Sequence, residues 1–110
     1  MRKQGTTVIA AGAISGNVLA GDPIEFPETA SKVKMMAAAS AVGVVGSARA
    51  GTRIYMTESA ISQANRFPIE PDDRFVQDVA RAGQRLGLEF RNPTAGPLTV
   101  YWAVDLDPIG

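Results

Sequence analysis

The chain has 110 residues, 45% of them hydrophobic, so it is long enough to form one domain with a buried core. Its eleven basic residues balance eleven acidic residues, which argues against strong nucleic-acid binding because such binding relies on excess Lys and Arg. Because Cys and His are both absent, we expect no catalytic residue, no cofactor, no small-molecule substrate and no enzymatic activity. No apolar run approaches the ~20 residues of a membrane helix, so we expect no membrane partner.

The first part of the chain predicts short strands separated by turns. Residues 6–14 (TTVIAAGAI) are rich in β-branched and small side chains, which favours a strand. The Ser-Gly-Asn run at 15–17 indicates a turn. Residues 24–26 (IEF) alternate apolar and acidic side chains, which predicts a second short strand that Pro27 closes.

Residues 31–45 (SKVKMMAAASAVGVV) admit two interpretations. Ala, Met and Lys favour a helix, which Thr29 or Ser31 would cap. Val33 and Met35, however, also alternate with lysines at a period of two, which is typical of a strand. We favour the strand because the surrounding sequence is rich in β patterns.

The middle of the chain mixes strand patterns with irregular stretches. Residues 53–57 (RIYMT) and 74–80 (RFVQDVA) each alternate and predict strands. Residues 58–66 (ESAISQANR) fit a short helix or an irregular arm. Residues 67–73 (FPIEPDD) predict a loop, because two prolines three residues apart exclude both a helix and a central strand.

The last third of the chain carries the clearest pattern. Apolar and polar residues alternate through 84–91 (QRLGLEFR) and again through 98–106 (LTVYWAVDL). The intervening NPTAGP at 92–97 suits a turn. We therefore predict a β-hairpin over 84–106 with one apolar face, and we expect Trp102 to lie in the core on that face.

These elements together predict an all-β fold. Seven or eight short antiparallel strands, separated by Gly, Pro and Asn turns, favour a single jelly-roll-like β-sandwich over residues 1–110, with at most one short helix. Residues 1–5 and 107–110 show little periodicity, so we expect them to form short terminal arms. The stretch 58–73 is expected to reach outward in the same way.

Four residues near the predicted hairpin are candidates for a protein interface. Tyr101 and Thr99 alternate with Trp102, so we expect them on the solvent face, where an exposed aromatic ring suits a protein interface or the stacking of a sugar or base. Arg85 and Arg91 belong to the predicted hairpin and would contact an acidic neighbour or a phosphate. Ordinary surface residues are the simpler interpretation.

One acidic cluster is a candidate cation site. Glu70, Asp72, Asp73 and Asp78 place four carboxylates within nine residues, and Ca²⁺ prefers oxygen ligands. Their spacing does not follow that of a calcium-binding loop, and Arg74 interrupts them. A solvated loop is therefore the simpler interpretation, and a weak cation site is the alternative.

Three segments carry a resemblance: IYMTESAI at 54–61, FPIEPDDRFVQDV at 67–79 and RLGLEFRNPTAGPLTVYWAVDL at 85–106. Together they resemble the small structural proteins of virus particles, of the kind found in bacteriophage shells. The last segment is similar to the closing hairpin of β-sandwich and jelly-roll coat or decoration subunits. The resemblance implies a subunit that is repeated many times in the virion and contacts its neighbours through loops and arms.

We therefore expect a non-enzymatic structural subunit that assembles with like or related subunits, as a phage capsid, coat or decoration protein does. Its expected location is the virion, with the cytoplasm as the alternative. The alternative function is a ligand-binding β-module for carbohydrate or protein recognition, which would use Tyr101 and the loop around Asp72 and Asp73.

Overall fold

Strands account for most of the regular structure of the chain. The structure is a computed structural model, and it describes residues 2–63, 67–68 and 74–109. Within these ranges it contains one 3-10 helix, Pro23–Glu25, and eight strands: β1 Arg2–Ile9, β2 Ser31–Ala39, β3 Val45–Ala50, β4 Arg53–Ala60, β5 Ser62–Gln63, β6 Arg74–Ala80, β7 Leu86–Arg91 and β8 Leu98–Pro108.

The strands form two sheets that pack face to face. In the first sheet β8 lies between β1 and β2, while β6 and β5 pair with different parts of β2. In the second sheet β3 lies between β4 and β7. The predicted all-β sandwich is confirmed. One pair departs from the expected antiparallel pattern, because the two-residue β5 runs parallel to β2.

The pairing of the strands is nested along the sequence. β1 pairs with β8, β2 with β6, and β3 with β4. Residues 13–18, although irregular, run along β7: the Ser15 N–H donates to the Phe90 carbonyl (2.8 Å) and the Val18 N–H donates to the Leu88 carbonyl (2.9 Å). Such first-with-last pairing, wrapped into two facing sheets, is the topology of a jelly roll.

The core lies between the two sheets. Trp102, which the alternation places in the core, is 6% exposed, and Gly5 of β1 lies opposite it in the ladder. A Cβ atom at Gly5 would lie 2.5 Å from Cζ2 of the indole, so only glycine lets the ring pack against β1 without a shift. The other large, fully buried side chains of this core are Ile9, Leu19, Ile24, Val33, Met35, Val44, Leu86, Leu88, Phe90, Val100 and Val104.

The hairpin predicted over 84–106 is wrong. β7 pairs with β3 in the second sheet, whereas β8 pairs with β1 and β2 in the first, so residues 92–97 cross between the sheets. Asn92 anchors this crossing, since its side-chain amide donates to the carbonyls of Ile9 (3.0 Å) and Gly96 (2.8 Å). Alternation identifies the two strands and their buried faces, but it does not identify their partners.

Two predictions about shorter segments have opposite outcomes. Residues 31–39 form β2, so the strand interpretation is confirmed for that part. The strand predicted at 24–26 is wrong, because residues 23–25 form the 3-10 helix. Asp22 caps this helix, and its carboxylate accepts a hydrogen bond from the Ile24 N–H (3.1 Å). An Asp followed by Pro is a helix-start signal, and here it outweighs a three-residue alternation.

The segments expected to form arms lie within or against the sandwich wherever the structure describes them. Residues 2–5 belong to β1 and pair with β8, while residues 107–108 belong to β8 and pair with β2. Residues 58–60 end β4 as a strand rather than forming the start of a helix. These backbone groups are hydrogen-bonded in ladders, so the chain gains little by releasing them into solvent.

Candidate interaction surfaces

Tyr101 lies on the outer face of the first sheet, opposite Trp102, as its position in the alternation predicts. Its ring is half-buried rather than exposed, because Phe67 packs against it edge to face with the ring centroids 5.3 Å apart. Thr99 lies on the same face, and its backbone exchanges hydrogen bonds with Ser40. Tyr101 is therefore not the open aromatic platform that the sequence suggests.

The same outer face contains buried side chains that the sequence pattern does not reveal. Met36, Ala38 and Ala103 are fully buried, although they alternate with the residues of the central core. Pro68 is buried as well, and the Arg2 guanidinium donates to its carbonyl (3.4 Å). The central strands of this sheet are thus covered on both faces, which explains why residues 35–39 read as a continuous apolar run.

Arg85 lies at the start of β7 and binds a carboxylate of its own chain. Its Nε donates to Oε2 of Glu25 (2.6 Å), and the other Glu25 oxygen accepts from the Gly21 N–H (3.1 Å). Glu25 is buried, and its hydrogen bond from Arg85, followed by that from Gly21, lowers the pKa of this carboxyl. The Asn17 side-chain amide also donates to Glu25 (3.4 Å), so the 3-10 helix, residues 17–21 and β7 share one polar cluster.

Arg91 lies at the other end of β7, on the outer face of the second sheet. Its Nε donates to Oε1 of Glu58 (2.5 Å) across β3. Glu58 is the only non-glycine residue with a positive φ (47°) in the part of the chain that the structure describes. It lies in a β-bulge of β4, and its N–H donates to Oγ of Ser47 (2.9 Å). The four predicted interface residues are therefore spread over both outer faces and one end of the sandwich.

Three of the four residues of the candidate cation site, Glu70, Asp72 and Asp73, lie outside the described residues. The fourth, Asp78, lies on β6 and forms an ion pair with Arg53 of β4 (3.1 Å). Beside this pair, burial and the Asp78 carboxylate raise the pKa of Tyr55 to about 12, and its hydroxyl donates to the Val79 carbonyl (2.8 Å). Among the residues with assigned positions, no three Asp or Glu side chains form a group that would hold a metal ion.

A cleft of about 220 Å³ lies on the outer face of the second sheet. Arg49 and Glu89 provide charged groups, and Ser47 and Thr57 provide hydroxyls. The stem of Arg49 lies over Gly87, where an added Cβ would come within 3.0 Å of Arg49 Cγ. This surface combines apolar and polar contacts in the way that small-ligand sites do.

The edges of the sheets differ in how they are closed. The edge of β7 is closed by residues 13–18, where two polar side chains take the place of backbone acceptors. The Phe90 N–H donates to Oγ of Ser15 (3.0 Å), the Leu88 N–H donates to Oδ1 of Asn17 (3.1 Å), and the Asn17 amide donates to the Leu86 carbonyl (3.1 Å). The sequence signal for this contact is the Ser-x-Asn spacing at 15–17, which on its own indicates only a turn.

The edges of β6 and β4 are closed or distorted. At Val79 of β6 the carbonyl accepts from Tyr55 and the N–H donates to the adjacent Asp78 carboxylate (2.8 Å). β4 shifts register twice against β3, at the bulge containing Glu58 and again near Tyr55. Bulges bend an edge strand and discourage pairing with another chain.

The remaining long edge is that of β1. Its eight residues pair with β8 in one continuous register, without a bulge and without proline. Among the residues that the structure describes, none forms a hydrogen bond to residues 3–8 on the side away from β8. We refer to this side of β1 as the open edge. Val8 lies at one end of it and is 69% exposed.

Exposed apolar side chains occur on several different elements of the fold. Val8 lies on β1, Val42 in the β2–β3 connection, Ile54 on the outer face of the second sheet and Phe26 after the 3-10 helix. The other large exposed apolar residues among those described are Ile14, Phe67, Val79 and Ile109.

Comparison of the sequence with models of known protein families returns no match. Comparison with curated protein sequences also returns no match. Within the described ranges, no helix has the length and apolar character that a membrane crossing requires.

Proposed function

We propose that this chain is a non-enzymatic structural subunit that assembles in many copies, as a coat, capsid or decoration protein of a virus particle such as a bacteriophage. The observation that carries the proposal is the spread of exposed apolar side chains over different elements of a chain with no net charge. Val8, Val42, Ile54 and Phe26 would each suit a different neighbour. A subunit surrounded by copies needs several such contacts, whereas a module with one ligand needs one.

The jelly-roll topology supports the proposal by analogy. Viral coat proteins use this fold, and so do lectin domains, so the fold alone does not choose between assembly and carbohydrate binding. The charge balance favours assembly, because eleven basic and eleven acidic residues leave no long-range repulsion between copies. The half-buried position of Tyr101 under Phe67 removes the main support for sugar stacking.

Sedimentation velocity and light scattering at rising protein concentration test the proposal. We expect the average mass to increase from monomer to species of several copies, and negative-stain images to show regular assemblies at high concentration. A chain that remains monomeric at every concentration, and that does not bind to phage shells lacking it, would contradict the proposal.

The cleft on the second sheet favours one second candidate, a ligand-binding β-module. Arg49, Glu89, Ser47 and Thr57 offer donors and acceptors around an apolar floor that contains Ile54 and Met56. Binding of the monomer to a glycan array, abolished by Arg49→Ala, would favour this candidate. Arg91→Ala is the matched control, because Arg91 lies on the same face but does not line the cleft.

A further inference from the structure

We propose that the open edge of β1 pairs with β1 of a second copy, antiparallel and about a two-fold axis, so that the first sheets of both copies become one continuous sheet. This inference rests on the proposed function, because it names the contact through which two subunits of the assembly meet. It assigns a role to an edge that, on the side away from β8, forms no hydrogen bond with any described residue at positions 3–8.

The first argument is the contrast with the other edges. β7 is closed by Ser15 and Asn17, β6 by Tyr55 and Asp78, and β4 is bent by two register shifts. β1 has none of these devices, although it is among the longer strands. A long regular strand with one unpaired side is a template for another strand.

The second argument is the distribution of charge along β1. Arg2 and Lys3 lie at its beginning, and residues 4–9 (QGTTVI) carry no charge. Paired residues of a continuous sheet point to the same face, so a two-fold axis passes through a residue rather than between two residues. Gly5 and Thr6 are the two residues at the middle of β1, so an axis through either of them pairs most of the strand. In both registers the two cations of one copy lie opposite uncharged residues of the other, and no like charges are directly opposed.

The third argument concerns what surrounds the ladder. Val8 is 69% exposed on the outer face, and pairing would bring it next to the beginning of the partner's β1. The packing of Trp102 against Gly5 and the pairing with β8 hold β1 in place, so little ordering is required on association.

An eight-residue ladder covers less than the ~800 Å² per partner of a stable isolated dimer. The contact is therefore weak in a pair and strengthened by the other contacts of a many-copy assembly.

The test compares two valine substitutions. Val8→Lys adds a cation to the open edge, near Arg2 and Lys3 of the paired copy. Val79→Lys is the matched control, since Val79 is 42% exposed on β6, which β8 and β2 separate from β1 in the first sheet. In sedimentation velocity, Val8→Lys should weaken dimerisation by about tenfold or more because like charges across strands are unfavourable, and Val79→Lys should not change it. Val8→Glu, whose charge attracts the cations of the partner, should restore dimerisation or strengthen it.

Hydrogen exchange gives a second readout. The amide protons on the open side of residues 3–8 should become protected as the concentration of the wild-type chain rises, and they should remain unprotected in Val8→Lys. Trp102 fluorescence verifies that each variant is folded. If the wild type associates while Val8→Lys and Val79→Lys associate equally well and residues 3–8 gain no protection, this inference fails and the proposed function stands. If the wild type never associates, both fail.

Discussion

The edge strands β7 and β1 each pair with another strand on only one side, but they differ in whether their backbone groups on the other side are hydrogen-bonded. At β7 the chain supplies Ser15 and Asn17, which are more than 65 residues away in sequence and complete the hydrogen bonds of Leu88 and Phe90. At β1 no described residue does so for positions 3–8. One edge is thus closed within the monomer, whereas the other keeps backbone groups at positions 3–8 that no described residue hydrogen-bonds on the side away from β8.

The largest expected effect comes from opening the closed edge with Asn17→Ala. This substitution leaves the Leu88 N–H and the Leu86 carbonyl unpaired beside the core, and each such group costs about 1–3 kcal/mol. We expect the free energy of unfolding to fall by about 2–6 kcal/mol in urea titrations. Gln4→Ala on the open edge is the control, because its amide is exposed and should contribute less than ~0.5 kcal/mol. Equal effects of the two substitutions would show that the β7 edge is not closed as described.

An intermediate effect is expected from Gly5→Ala, which acts on the inner side of β1. The new Cβ would lie 2.5 Å from the indole of Trp102, so the ring or the strand must move. Overpacking of this kind costs about 1–3 kcal/mol. Gly96→Ala is the matched control, because a Cβ there meets no atom within 4 Å. Thermal unfolding and Trp102 fluorescence measure the difference, and a variant with the stability of Gly96→Ala would mean that the ring does not pack on β1.

The smallest effect is a pH dependence of the free energy of unfolding, which arises from Glu25 beside the closed edge of β7. Hydrogen bonds from Arg85 and Gly21 hold the pKa of Glu25 below its ordinary value of 4.5. A lowered pKa in the folded state means that ionised Glu25 stabilises the fold above pH 4.5, and that this contribution is lost as the pH falls through the folded-state pKa. Asp22 has a lowered pKa as well, through the Ile24 N–H and then Lys3, so it contributes in the same direction.

Urea titrations at pH 7 and at acid pH test this expectation. Glu25→Gln should have a smaller free energy of unfolding than wild type at pH 7. The difference between the two free energies of unfolding should become smaller at acid pH. Asp22→Asn is the companion variant, and the pH dependence should be weakest when both substitutions are combined. Parallel stability curves for wild type and Glu25→Gln across the acid range would exclude this role for Glu25.

The sequence determined the all-β class, the location of most strands and the core position of Trp102. These features follow from the period of two, because successive residues of a strand lie on opposite faces of the sheet. The same pattern led to the wrong hairpin over 84–106, because alternation carries no information about which strand lies alongside. In a jelly roll the neighbours are far apart in sequence, and only the closing of the two sheets over a common core selects β1 and β2 as partners of β8.

The candidate surfaces depended more strongly on tertiary structure. The alternation places Tyr101 on the outer face, but only the fold places Phe67 over it. Residues 15–17 suggest a turn, yet in the fold Ser15 and Asn17 lie within hydrogen-bond distance of β7. The sequence at 1–5 suggested an arm, and the structure shows that residues 2–5 belong to a paired strand, whose other side forms no hydrogen bond with described residues at positions 3–8. In each case the local sequence fixes what a side chain or backbone group can bond to, whereas long-range packing decides which partner comes within its reach.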